Sequence, residues 1–124
     1  MIIDMEAIKA IVTENQKAIL VLAIFILFDI ITGVIKAASN SELVSSKFRH
    51  GIIKKFFEIL LIVVGYALDY LTEMMYIGNS VAIFFIVMEG YSILENTSEF
   101  VELPSILKTI LDSLQGEKNK DDLQ

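Results

Sequence analysis

The sequence has no cysteine and a single histidine, and both shortages narrow what the protein can do. Without cysteine, the chain has no disulfide, no thiolate metal site and no cysteine nucleophile. His50 lies in a basic segment and reads as a solvated loop residue, because one histidine makes no metal site. The sequence also lacks a nucleophile–base constellation and a glycine-rich phosphate loop. We therefore predict a protein that is not an enzyme and that holds no metal or cofactor.

Hydrophobic residues, by contrast, are abundant. They make up 55% of the 124 residues, and the mean hydropathy is +0.65. A soluble domain is about 45–50% apolar. The excess is concentrated in three stretches, at about 18–36, 55–72 and 77–95, each close to the roughly 20 residues that cross a bilayer. The sequence thus predicts an all-α membrane protein whose three transmembrane helices form one domain over residues 18–96.

A cleaved signal sequence is the alternative interpretation of the first stretch. Small residues do follow the apolar run, at Ala37, Ala38 and Ser39. However, the preceding flank is slightly acidic, and Asp29 lies between the run and the potential cleavage site. A spanning helix is therefore favoured.

The segments on either side of the membrane domain are predicted to be amphipathic. In residues 1–17, apolar residues recur at steps of three and four, so this helix either lies on the membrane surface or extends the first span. Its apolar positions are Ile2, Met5, Ile8 and Val12. In residues 97–124, Pro104 suits a first helical position, and Gly116 is expected to end the helix before a charged tail. The apolar face of this second helix comprises Ile106, Leu107, Ile110, Leu111 and Leu114.

Basic residues are concentrated in the first connection between spans and absent from the second, residues 72–78. The basic residues are Lys36, Lys47, Arg49, Lys54 and Lys55, against Glu42 alone. By the positive-inside rule the first connection lies in the cytoplasm, which places the N-terminus outside and the C-terminus in the cytoplasm. The basic segment joins two spans and lacks the aromatic interleaving suited to base stacking, so nucleic-acid binding is not expected.

Each predicted span carries acidic residues: Asp29 in the first, Glu58 and Asp69 in the second, and Glu89 in the third. A carboxylate near the middle of a spanning helix costs about 2.5–3.5 kcal/mol, so it usually faces protein or water. Helical spacing gathers these acids with other polar or small residues into one stripe per span. The candidate pore-lining or oligomer-interface residues are Asp29, Thr32, Gly33, Lys36, Glu58, Gly65, Asp69, Glu89, Ser92, Glu95 and Asn96.

Three roles remain open for these stripes: holding helices together, lining a lumen, or forming an ion or proton path. Gly33 and Ala37 form a small-xxx-small pair that allows close helix approach. Asp29 and Glu89 each lie about 9–11 Å from the cytoplasmic ends of their spans, at 1.5 Å per residue. Protonated carboxyls would hydrogen-bond between helices, whereas ionised ones require water or Lys36 beside them.

The polar residues resemble those of a bacteriophage holin family that is shared by phage lysis cassettes and clostridial toxin-secretion loci. The matching motifs are Asp29-x-x-Thr32-Gly33-x-x-Lys36-Ala37, Arg49-x-Gly51-Ile52-x-Lys54-Lys55 and Glu89-x-x-Ser92-Ile93-Leu94-Glu95-Asn96. Asp69 and Leu103-Pro104 also match, so the resemblance covers about residues 28–114. The chain departs from the pattern at Phe100-Val101-Glu102, where a glycine is expected.

The resemblance implies a protein of the bacterial cytoplasmic membrane that oligomerises with its own copies and opens lesions at a set time. The lesions would release an endolysin or, in toxin loci, a large toxin, as a passenger without stable binding. Its partners would then be membrane lipid and further copies of the chain. Two rival hypotheses are a small ion-selective channel or transporter subunit, and a purely structural membrane scaffold.

Overall fold

The computed structural model describes residues 4–41 and 45–122, and in this part of the chain all regular structure is helical. The helices are α1 (Met5–Glu14), α2 (Gln16–Ser39), α3 (Ser45–Thr72), α4 (Ile77–Ser98) and α5 (Ser105–Asp122). Asp4 begins α1 by accepting hydrogen bonds from the backbone N–H groups of Glu6 and Ala7. Ser41 and Glu73 have positive φ angles of 55° and 59° just beyond α2 and α3. A left-handed residue at this position ends a helix.

Two helices, α2 and α4, are long and apolar enough to cross a membrane. In the most apolar 18-residue stretch of each helix, only 6% of α2 and 17% of α4 is buried. A core helix of a soluble protein, by contrast, is mostly buried. The all-helical prediction is confirmed, and two of the three predicted spans meet this criterion. The third, α3, has 28 residues, about 42 Å of helix, but carries Lys54, Lys55, Glu58 and Asp69.

Helix α4 lies between α2 and α3 and packs along both, while α2 and α3 have only sparse contact with each other. The small core joins all three helices through Leu22, Ile62, Tyr66 and Ala82, of which Ala82 is fully buried. Most other large apolar side chains of these helices point outward, such as Leu27, Phe57 and Phe84, each more than half exposed. The bundle therefore has an apolar exterior around a narrow interior.

The two ends of the bundle differ, and we name them by their connections. At the hairpin end, residues 73–76 connect α3 to α4, as expected for an antiparallel pair. Ala7 and Ala10 of α1 line a cavity of about 540 Å³ there, together with Tyr70 and Met75. At the basic end, α2 ends and α3 begins, with Lys47, Arg49 and Lys54 exposed.

The flanking helices depart in detail from the sequence predictions. Helix α1 ends at Glu14, and Asn15 separates it from α2. Of its predicted apolar face, Ile2 and the side chain of Val12 lie outside the described residues. Helix α5 contacts α4 and buries Leu111, while Ile106 and Ile110 stay exposed. The expectation that Gly116 ends α5 is wrong, because the helix runs on to Asp122; one glycine costs only about 1 kcal/mol in a helix interior.

Candidate functional site: an ionic cluster inside the bundle

One lysine joins two carboxylates where the three long helices meet. The Lys55 Nζ on α3 donates a 2.7 Å hydrogen bond to Asp29 Oδ2 on α2 and bonds of 2.8 and 3.1 Å to Glu89 Oε2 and Oε1 on α4. The three side chains are only 13%, 16% and 4% exposed, respectively. We call Asp29, Lys55 and Glu89 the ionic cluster. It ties three helices of one chain together and sets two carboxyl groups against one ammonium group.

Glu58 brings a further carboxyl to the cluster. It lies three residues after Lys55, almost one turn along α3, and is only 4% exposed. Its side chain lies against that of Glu89. Its Oε2 is buried and has no hydrogen-bond partner among the described residues. A buried oxygen without a partner costs about 1–3 kcal/mol, so this carboxyl is a weak point of the interior.

A layer of hydrogen bonds from uncharged side-chain donors lies next to the cluster, towards the basic end. Asn96 on α4 donates from Nδ2 to Thr32 Oγ1 at 3.1 Å and to Asp29 Oδ1 at 3.4 Å. The Thr32 hydroxyl in turn donates to the backbone oxygen of Phe28 at 2.8 Å. Asp29 is therefore held both by the lysine and by the amide. These bonds fix the register between α2 and α4.

Lys36 does not reach the cluster. Its Nζ lies 3.4 Å from Glu99 Oε1, just beyond the end of α4. Asn40 Nδ2 donates to the other oxygen of Glu99, also at 3.4 Å. These side chains close the basic end between α2 and α4, where the pair is exposed enough to contribute about 0–1 kcal/mol.

At the hairpin end, Asp69 of α3 caps the beginning of α4. Its Oδ1 accepts from the Ile77 N–H at 2.9 Å and its Oδ2 from the Gly78 N–H at 2.8 Å. The residue that precedes α4, Tyr76, makes no side-chain cap of its own. The first N–H groups of a helix have no intrahelical partner and carry partial positive charge, which favours a carboxylate here. Asp69 is 8% exposed, so the cap is an interior contact.

Two glycines allow this cap to form, because α3 and α4 almost touch through their backbones. A Cβ added at Gly65 would lie 2.9 Å from the Gly78 Cα. A Cβ at Gly78 would collide with the Tyr66 ring, whose hydroxyl donates to Asn79 Oδ1 at 3.0 Å. Gly33, in contrast, has room: its added Cβ would lie 3.6 Å from the nearest atom, the Asn96 Nδ2. The close approach is thus between α3 and α4, at Gly65 and Gly78.

Substituting Asp69 is expected to loosen the hairpin end. In Asp69→Asn the amide nitrogen cannot accept, so one of the two backbone N–H groups loses its partner, and in Asp69→Ala both do. We expect unfolding free energy to fall by about 1–2 kcal/mol in the first variant and by more in the second. Unfolding in mixed detergent micelles, followed by circular dichroism, measures the difference. The exposed Asp4→Ala cap on α1 is the matched control, and an equal loss there would contradict a special role for Asp69.

The structure brings together some of the sequence-predicted residues and leaves others apart. Asp29, Thr32, Glu89 and Asn96 meet in one region, and Glu58 adjoins it. Gly65 and Asp69 form a separate contact at the hairpin end. Ser92 and Glu95 are half-buried, with Glu95 beside Tyr91. Whether any of these residues lines a pore or an oligomer interface stays a prediction.

Sequence reasoning missed the central role of Lys55, which was used only as one of the basic residues that assign the orientation in the membrane. A signal was present: Lys55 and Glu58 are three residues apart, so a lysine accompanies the acidic stripe on the same side of α3. The contacts of Glu99 with Lys36 and Asn40 were also not predicted: Glu99 was placed only in the polar stripe of the third span, without a partner. No sequence pattern pointed to Tyr66 with Asn79.

The fold is an all-helical bundle with a largely apolar exterior, two helices long and apolar enough to cross a membrane, and an ionic cluster in its interior. Comparison with known proteins makes this specific: the chain belongs to the bacteriophage holin family, whose model matches residues 6–116. The resemblance predicted from the motifs is therefore confirmed. Membership also places the chain among non-enzymatic membrane proteins, in agreement with the prediction that it is not an enzyme.

Individual relatives agree with the family match. An uncharacterized protein of Clostridium perfringens strain 13 is 36% identical over 104 residues, which cover 82% of this chain and 77% of the relative. A 14.9 kDa protein of the nagH 3′ region of Clostridium perfringens is 36% identical over 81% of this chain and 78% of its own length. A probable holin of Bacillus phage phi105 is 30% identical over 76% and 71%, respectively. No solved structure matches the chain.

Proposed function

We propose that the chain is a holin that accumulates in the bacterial cytoplasmic membrane, assembles with its own copies and opens lesions. The cargo would be an endolysin or, in a toxin locus, a large toxin. One observation carries the proposal: Asp29, Lys55 and Glu89, which come from the three long helices, contact one another inside a single chain. A single copy can therefore reside in the membrane without forming a conduit.

Opening then requires the same polar faces to exchange their partners. A group of chains whose α2, α3 and α4 move apart would present Asp29, Lys55 and Glu89 to water in a shared lumen. Breaking a buried ion pair without replacement costs about 3–5 kcal/mol, so the closed chain is stable until enough copies gather to supply a wetted interior. Glu58 favours this change, since its buried oxygen lacks a partner in the closed chain among the described residues.

The proposal includes α3 as a third span. Most of the charged residues that make α3 less apolar than α2 and α4 point inward: Lys55 pairs with Asp29 and Glu89, and Asp69 caps α4, whereas Lys54 lies exposed near the basic end. Its outward side chains are apolar at bilayer depth, among them Phe57, Leu61 and Val64. With three spans, the positive-inside rule gives an outer N-terminus and a cytoplasmic C-terminus.

Controlled expression in a bacterium tests the function. We expect the chain to accumulate without harm, then to collapse the membrane potential abruptly and, with a co-expressed endolysin that lacks a secretion signal, to lyse the culture. Without the endolysin, the potential should collapse with no lysis. Potential-sensitive dye fluorescence, culture turbidity and extracellular endolysin activity are the measurements. Depolarisation without any endolysin release would favour the ion-selective channel, and an unchanged potential would favour the scaffold.

A further inference from the structure

A cavity of about 330 Å³ opens between α2 and α3 at the basic end of the bundle. It exists because α4 holds these two helices apart and they have only sparse contact with each other. One wall is formed by Ile30, Val34 and Ala37 of α2, and the other by Phe48 and Ile52 of α3. Its floor is the Asp29–Lys55 pair. The cavity is thus an apolar groove that ends in an ionic base.

Two lysines of α3, Lys47 and Lys54, also line this groove. Both side chains belong to exposed residues. Neither forms an ion pair with any carboxylate whose side chain the structure describes. Lys55 differs, because Asp29 and Glu89 already hold it. The groove therefore combines an apolar wall with two cations that are free to receive an anion, as far as the described side chains show.

We propose that this groove binds one anionic phospholipid, with an acyl chain along the apolar walls and the phosphate between Lys47 and Lys54. Charge complementarity and the depth of the two lysines both favour this occupant. Lys47 lies in the first turn of α3, where a spanning helix meets the headgroup layer, and Lys54 lies seven residues further, about 10 Å along the axis. Long lysine side chains extend back towards the interface, so both ammonium groups reach one headgroup. Basic pockets between transmembrane helices recognise anionic headgroups in this way.

A lipid fits the groove better than a soluble anion, because a soluble anion would leave the apolar walls uncovered. Inorganic phosphate would meet the two lysines but would leave the surface of Ile30, Val34 and Ile52 in contact with water. Asp29 at the floor would also repel an anion that moved deeper, which places the phosphate at the rim and the hydrocarbon below it. The inference rests on α3 spanning the membrane, and it does not depend on lesion formation.

Native mass spectrometry of the full chain released from nanodiscs tests the site. Nanodiscs with equal amounts of phosphatidylglycerol and phosphatidylcholine provide the competing lipids. We expect the ejected chain to retain phosphatidylglycerol in preference to phosphatidylcholine. The double variant Lys47→Gln/Lys54→Gln should lose most of this preference, about fivefold for each lysine. Lys9→Gln/Lys17→Gln removes the same charge at the opposite end and should leave the preference unchanged.

Filling the groove supplies an independent test of its walls. Gly51 lines the cavity and has no atom within 4 Å of an added Cβ. Gly51→Leu should therefore displace the retained lipid without any change of charge. Gly116→Leu, at a position with equal space on α5, is the control.

Four results of the mass spectrometry would overturn the proposal. The unaltered chain could retain the two lipids equally, or both lysine double variants could lose the preference to the same extent. Gly51→Leu could retain as much lipid as the unaltered chain, or the chain could be released as a dimer in which a second copy fills the groove. Binding of inorganic phosphate alone by the detergent-purified chain, with no selective lipid retention, would also overturn it. Unchanged thermal unfolding of the lysine variants shows that a lost preference is not lost folding.

Discussion

Lys55→Gln is expected to prevent the chain from accumulating stably in the membrane. Without the ammonium group, Asp29 and Glu89 become two buried carboxylates that face each other and Glu58 with no cation between them. Removing one partner of a buried ion pair costs about 3–5 kcal/mol, a large part of the stability of a small bundle. The amount of chain in the membrane fraction and the unfolding midpoint in detergent both measure the loss.

A variant that neutralises the whole ionic cluster separates charge balance from packing. Asp29→Asn, Lys55→Gln and Glu89→Gln together keep the size and hydrogen-bonding capacity of the cluster but remove all three charges. The large cost of a single substitution comes from the uncompensated buried charge, and the triple variant leaves no such charge among the three residues, so it should accumulate again. Lys108→Gln, an exposed change on α5, should behave as the unaltered chain does. Normal accumulation of Lys55→Gln alone would show that the lysine is not needed to balance the carboxylates.

Gly65→Ala is expected to destabilise the bundle, while Gly33→Ala is not. The new methyl at Gly65 would lie 2.9 Å from the Gly78 Cα, which is backbone and cannot rotate away. Helices α3 and α4 must then separate, which weakens the Asp69 cap and costs about 1–3 kcal/mol. At Gly33 the methyl fits, and the gain in helix propensity is about 0.5–1 kcal/mol.

Equilibrium unfolding of both glycine variants in the same detergent mixture gives the comparison directly. Each substitution adds one methyl group to a helix of the same bundle, so the difference between them reports helix distance alone. A similar stability change for Gly65→Ala and Gly33→Ala would show that α3 and α4 are not held in backbone contact. A greater loss at Gly33 would place the close approach between α2 and α4 instead.

The polar stripes could be predicted because helical periodicity is a local property of the sequence. Asp29, Thr32 and Asn96 lie on the helix faces that the spacing indicated. The partner of each carboxylate could not be predicted in the same way, because it depends on how far each helix is shifted along its neighbour. Lys36 and Lys55 were both available as cations near the carboxylates. Only the position of α4 assigns the first to Glu99 and the second to the ionic cluster.

The capping role of Asp69 could not be predicted from the sequence for a related reason. Its stripe on α3 was visible, but the contact it makes is with backbone N–H groups eight and nine residues later. That contact requires the four-residue connection to fold back and bring the first turn of α4 over the end of α3. It also requires Gly65 and Gly78, thirteen residues apart, to come into contact, and only Gly65 was among the candidate residues predicted from the sequence. Backbone donors carry no sequence signature, so caps formed across helices escape pattern analysis.

The central place of α4 has a consequence for how the protein is made. The ribosome delivers α2 and α3 first, yet these two helices have only sparse contact with each other. Until α4 emerges, Lys55 lacks one of its carboxylates, Asp69 has no helix to cap, and much of the interface of both earlier helices is uncovered. Assembly of the bundle therefore depends on the last of the long helices to be translated. A chain interrupted before residue 77 would present the insertion machinery with two helices, α2 and α3, that carry charged residues and lack the helix that packs between them.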